Sequence, residues 1–165
     1  MSDTQITELA GLQCLISQLL KGRVEIATPL RDRGIDLIAF LDREDMPGFY
    51  ACPIQLKANE EARFGLDKKY EHTPNLLMVY AWYVSNDSPQ LYALTYSEAE
   101  ALLSKRGHTK KPTWTVKGTW SLRVNDPWLR MLSPYRMQPD KWRKKILSVC
   151  KAEQSNRSKL AGSKD

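Results

Sequence analysis

The sequence predicts an α/β layer fold, a mixed sheet flanked by helices, built as one domain over about residues 1–151. Three observations predict it. An N-terminal stretch carries leucines at helical spacing, several strand-like runs follow between residues 24 and 96, and a helix-start signal comes directly after the last run. With 165 residues, 42% of them hydrophobic and 27% charged, the chain is long enough to bury a core and has an ordinary globular composition.

Residues 3–21 read as the first helix. Leu12, Leu15 and Leu19 form an apolar stripe that Leu9, Ile16 and Leu20 widen, and Gly22 ends it. One turn back from Leu12 the stripe lands on Glu8, a carboxylate in line with the buried face. Three strands follow: "VEIATPL" (24–30), "IDLIAFLD" (35–42), which is apolar on both faces, and "FYACPIQLKA" (49–58) after the polar loop "REDMPG". Pro53 removes a ladder donor from the third of these, so a bulge or a sheet edge is expected there. Residues 59–75 are polar and predict a short helix. "LLMVYAWYV" (76–84) and "QLYALTY" (90–96) are two more strands, separated by the turn "NDSP". Ser97 with Glu100 three residues on predicts a capping box for the helix "SEAEALLSKRG", closed by Gly107. Farther on, "WTVKGTWSLRV" predicts a hairpin, Asp126-Pro127 the cap and first residue of a short helix, and Pro139 the start of a last helix. That helix would turn Trp142, Ile146 and Val149 inward and Lys141, Lys144, Lys145 and Lys151 outward. Residues 152–165 are small and polar and are expected to be disordered.

Composition excludes some classes. No stretch of about 18 uncharged apolar residues predicts a membrane span, and the N-terminus lacks the basic and apolar pattern of a secretory leader, so a cytoplasmic protein is expected. Cys14, Cys52 and Cys150 make no C-x-x-C pair and fit reduced, packed thiols. The net charge of +6 is unevenly spread. Residues 1–104 hold 9 Lys/Arg against 15 Asp/Glu, while residues 105–165 hold 16 against 4. An acidic body with a basic C-terminal third points to a phosphate-bearing partner for the basic part and a cation for the acidic part.

Strand alternation puts Asp36 on one face with Ile38 and Phe40, and puts Gln55 and Lys57 together on a face of the next strand. Neighbouring strands would bring Asp36, Gln55 and Lys57 to one end of the sheet, with Glu8 supplied by a helix over the same face. Such a cluster suits metal-assisted phosphodiester hydrolysis. Asp36, the Gln55 side-chain oxygen, the Leu56 carbonyl and Glu8 would hold Mg²⁺ or Mn²⁺, and Lys57 would sit beside the attacking water. Single polar residues in strands are more often edge or turn residues. Four together are harder to account for that way, because each unpaired buried polar group costs roughly 1–3 kcal/mol.

Glu8 in a first helix, "GID" at 34–36 and "QLK" at 55–57 resemble the PD-(D/E)xK nuclease superfamily, over roughly residues 4–103. The resemblance implies a restriction-endonuclease-like αβββαβ core, Mg²⁺-dependent cutting of DNA, or of RNA in some members, and often a pair of chains acting together. Asp36 matches the motif's aspartate, Gln55 its second acidic position, Lys57 its lysine and Glu8 the helix glutamate of many members. Gln55 is the glutamine variant and removes one negative charge from the set.

Substrate contacts are expected from Lys68, Lys69, Lys105, Arg106, Lys110, Lys111, Lys141, Arg143, Lys144 and Lys145. Trp114, Trp120, Trp128 and Trp142 read as core, and His72 and His108 have no partner at ligand or triad spacing. The sequence thus predicts a DNA endonuclease, possible as a homodimer. Two other classes remain open: a nuclease-fold module without catalysis that binds nucleic acid or a partner, and a subunit whose basic surface binds an acidic protein.

Overall fold

The computed structural model describes residues 3–31, 33–41 and 48–161. The polar segment 42–47 and residues 162–165 of the expected tail lie outside the described residues. The elements are α1 (Asp3–Lys21), β1 (Glu25–Ala27), β2 (Leu37–Leu41), β3 (Tyr50–Asn59), β4 (Arg63–Asp67), β5 (Leu77–Trp82), β6 (Gln90–Thr95), α2 (Tyr96–Lys105), α3 (Pro112–Thr115), β7 (Thr119–Arg123), α4 (Asp126–Leu132), β8 (Arg136–Met137) and α5 (Trp142–Ala161). Six strands form one sheet in the order β1-β2-β3-β5-β6-β8, and β4 pairs with β7 in a small second sheet. β3 and β5 run parallel and every other neighbouring pair is antiparallel, so the sheet is mixed, as predicted.

The sheet separates two apolar clusters. On one face α1 and α5 bury Leu15, Leu19, Trp142 and Ile146 against Leu37, Ala39, Ile54, Val79 and Ala81. On the other, α2, α4 and the β4–β7 ribbon cover Met78, Tyr80, Trp82, Tyr92 and Leu94 with Phe64, Trp120, Trp128 and Leu103. The tilted ring pair Phe64–Tyr80, with centroids 4.9 Å apart, fastens the ribbon to the sheet. The four tryptophans read as core are buried, and the three cysteines are free thiols. Among the described residues no helix is long and apolar enough to cross a membrane.

Several local expectations change. Leu9 and Leu20 are about half exposed (46% and 50%), so the stripe of α1 is narrower than its leucines predict. The short helix of residues 59–75 is a 3-10 turn, Lys68–Tyr70, and the same segment holds a strand, β4. Its partner is β7, so "WTVKGTWSLRV" is no hairpin; its first two residues, Trp114 and Thr115, end α3. In an αβββαβ order an α-helix would link β3 to β5, and here a strand and a 3-10 turn occupy that position. The capping box of α2 uses Thr95 and Glu98 rather than Ser97 and Glu100. Asn125, not Asp126, caps α4 by accepting from the Trp128 amide. Helix α5 continues to Ala161, past the point where disorder is expected to begin, through a run of helix-favouring Lys, Ala, Glu and Gln.

Pro53 needs no bulge. It pairs with Ile38 in an unbroken β2–β3 register, and the β5 ladder begins only one residue later, at Ile54–Leu77. Ile54 and Leu56 turn their edge groups toward Asp36, so by alternation the missing donor of Pro53 faces the side where β5 has not yet begun.

Candidate functional site

β3 outruns its neighbour. Pairing with β2 stops at Leu37–Ile54, whereas β3 continues to Asn59 on the β5 side. Beyond Ile54, no described strand meets the β2-facing edge of β3. Asp36, one residue before β2, takes over there. Its amide donates to the Ile54 carbonyl at 2.8 Å, and its Oδ2 accepts from the Leu56 amide at 2.6 Å. The carboxylate thus continues the ladder where the strand ends. Gly34, at φ +83°, bends the chain into this position, a left-handed conformation that favours glycine.

Gln55 packs against the same carboxylate. Its Nε2 donates to Asp36 Oδ2 at 2.7 Å and to the Leu56 carbonyl at 3.2 Å, while its Oε1 accepts from the Tyr70 hydroxyl at 3.3 Å. One NH₂ group is held between two oxygens, which marks that spot as favourable for positive charge.

Lys57 follows on the same face, partly buried, with Nζ 5.6 Å from the centre of the Tyr70 ring. Lys69 lies over the same ring at 4.9 Å. Burial and then the Lys69 charge push the Lys57 ammonium below its ordinary value, against the opposing pull of Asp67 and Asp36. Among the described residues no carboxylate lies within ion-pair distance of Lys57.

Glu8 enters from the other side. α1 packs on the opposite face of β3, against Leu56 and Ala58, rather than over Gln55 and Lys57 as the sequence predicts. It is the free edge of β3 that lets both faces open into one cleft of about 770 Å³, lined by Glu8, Asp36, Gln55, Leu56 and Lys57 together with Arg63, Tyr80 and Ser121. Thr7 and Ser85 both donate to Glu60, which anchors this end of α1 beside the end of β3.

The predicted basic contacts divide. Lys111 lines a second cavity of about 610 Å³ with Lys57 and Lys117. Lys68 lies over the Trp114 ring at 5.3 Å. Lys105, Arg106 and Lys110 are exposed around the end of α2, outside both cavities. Lys144 is exposed on α5. Lys141 and Arg143 donate to the carbonyls of Arg136 and Arg23, and Lys145 forms an ion pair with Glu98 at 2.6 Å. These three thus serve contacts within the fold. Sequence reasoning missed Tyr70, which holds the Gln55 amide, and Lys117, which lies in the stretch "WTVKGTWSLRV" read only as a hairpin.

Among the described residues no three His, Cys, Asp or Glu side chains gather as a metal group. The Asp36 carboxylate and the Leu56 carbonyl nevertheless converge on one donor, and a half-turn of the Gln55 amide would bring a third oxygen there. Such an all-oxygen set suits a hard divalent cation. Compared with protein-family models, curated proteins and solved structures, the chain matches none.

Proposed function

We propose that this chain is a Mg²⁺-dependent nuclease-fold protein with a restriction-endonuclease-like core that hydrolyses phosphodiester bonds of DNA as an endonuclease, in line with the resemblance of its Glu8, Asp36, Gln55 and Lys57 to the PD-(D/E)xK motif. One observation carries the reading: Glu8, Asp36, Gln55, Leu56 and Lys57 line a single open cleft, and no described carboxylate neutralises Lys57. Asp36, the Leu56 carbonyl and the turned Gln55 amide would hold the cation, with Glu8 bound directly or through a water. The cation would supply a more acidic bound water and a counter-charge for the phosphate. Lys57 orients the attacking water as an ammonium, and burial lowers its proton affinity in the direction that proton transfer from that water would need. The Lys57 and Arg63 cations offset the repulsion between phosphate and the two carboxylates. A second copy of the chain would address the second strand.

The test uses purified protein with supercoiled and single-stranded DNA in Mg²⁺, Mn²⁺ or EDTA, alongside Asp36→Ala and Lys57→Ala. Each substitution should lower metal-dependent cutting by about 10²-fold or more. Asp36→Ala should also cost about 1–3 kcal/mol of stability, since it strands the Leu56 amide and the Gln55 side chain. Cutting that survives both substitutions would sink the hydrolytic reading.

The Gln55 NH₂ bridging Asp36 Oδ2 and the Leu56 carbonyl favours a second reading. An internal donor in the place of a cation suits a non-catalytic module that binds nucleic acid. Binding without cutting under every metal condition would select it.

A further inference from the structure

The cleft does not end at Lys57. The second cavity shares Lys57, Gly65 and Ser121 with the first, so the two are parts of one groove. Gly65 and Ser121 are ladder partners in the β4–β7 ribbon, and their small side chains form a low saddle between the two halves. The approach there is tight: a Cβ on Gly65 would meet the Ser121 Cβ and the Trp120 carbonyl at 3.0 Å. Beyond the saddle the walls are cationic and hydroxylated, with Lys57, Lys111 and Lys117 beside Thr113, Thr119 and Ser121. Among the described residues Asp67 is the one carboxylate lining this half, and its charge is engaged, since it accepts from the Lys69 amide at 2.9 Å and lies 3.8 Å from Lys69 Nζ. The two outer lysines flank α3, and the chain just after Lys117 is held, because the Lys68 amide donates to the Gly118 carbonyl and Thr119 pairs with Asp67.

From this continuity we infer that the second cavity is a phosphate-binding subsite for the nucleic-acid strand, holding backbone next to the phosphate that lies at Lys57. The inference rests on the nuclease-fold reading of the first cleft. Three ammonium groups around one engaged carboxylate suit a polyanion, and hydroxyls between them suit phosphate oxygens. The shared lysine ties occupancy of one half to occupancy of the other.

The test measures binding rather than cutting. Fluorescent oligonucleotides, single-stranded and duplex, are titrated in EDTA across ~50 to ~200 mM salt. The wild type is compared with Lys111→Ala/Lys117→Ala and with a control, Lys151→Ala/Lys159→Ala, on the exposed side of α5. All three should melt alike. The Lys111/Lys117 variant should bind at least about tenfold more weakly, and its salt slope should shrink by about 0.7–0.9 per lysine, while the control keeps the wild-type slope. Equal affinity and slope in wild type and variant overturn the subsite, even if the protein cuts DNA. So does a wild type that ignores oligonucleotides and binds polyglutamate instead. A lysine-dependent slope in a protein that cuts nothing supports the subsite and removes only the hydrolytic step.

Discussion

Gln55 has two ways to sit in the cleft, and they differ in charge complementarity. With NH₂ inward it satisfies Asp36 Oδ2 and the Leu56 carbonyl, and with oxygen inward it offers a ligand. The Tyr70 hydroxyl can donate to one arrangement and accept from the other, but the oxygen-inward arrangement leaves the Leu56 carbonyl without its donor unless a cation takes that place. Gln55→Glu removes the inward donor and sets two carboxylates against each other. Without metal it should lose about 1–3 kcal/mol of stability, and Mg²⁺ should raise its melting temperature more than that of the wild type. Melting curves with and without Mg²⁺ read both. Lys57 gives a pH prediction. Its lowered proton affinity means that the unfolded chain, with a value near 10.5, holds the proton over a range where the folded chain has released it, so this group adds stability as pH rises through that window. If the neutral amine takes the water's proton, cutting should also rise with pH below 10.5. Lys69→Ala removes the like charge that helps depress Lys57, and the pH–rate profile should move upward in pH. Alternation, with the pairing of the two strands as neighbours, made the convergence of Asp36, Gln55 and Lys57 at one end of the sheet legible in the sequence. The contact between the Gln55 amide and Tyr70 was not legible, because Tyr70 arrives in a 3-10 turn fifteen residues later.

At the scale of elements, the site exists because β3 is longer than β2 and because α1 lies close to the overhang. The closeness is set by Gly11, where a Cβ would come 2.5 Å from the Ala58 Cβ. Gly11→Val should therefore force α1 away from β3, cost about 1–3 kcal/mol through overpacking, and reduce cutting further by carrying Glu8 out of the cleft. A chemical denaturation curve and a cleavage assay on the same preparation check this. Leucine spacing fixed the extent of α1 correctly but could not tell which face of the sheet it covers. Periodicity reports the apolar side of a helix and says nothing about the side of its neighbour. β4 was illegible for a different reason. "RFGLD" is short, has a central glycine and finds its partner far along the chain at "TWSLR", so no turn signal links the two. The saddle between the two halves of the groove is made from those two strands.

Over the whole molecule, the basic C-terminal third does two jobs that composition cannot separate. Lys111 and Lys117 face the groove, whereas Lys145 has only 15% of its side chain exposed and closes α5 onto α2. Its partner Glu98 already completes the capping box of α2, accepting from the Thr95 amide at 2.8 Å, so one carboxylate ties the start of one helix to the first turn of another. Lys145 also lies 5.4 Å from the Tyr135 ring centre, which links it to the segment just before β8. Removing the ammonium leaves Glu98 its cap but strips its counter-charge in a half-buried setting. Lys145→Ala should thus lower stability by about 1–3 kcal/mol, because hydrogen bonds to charged groups are worth that much. It should leave oligonucleotide affinity and salt slope unchanged at temperatures where the variant is folded. A melting curve beside an anisotropy titration checks both halves of this expectation. A weakened affinity with an unchanged melting temperature would instead place Lys145 on the substrate and make α5 a third wall of the groove.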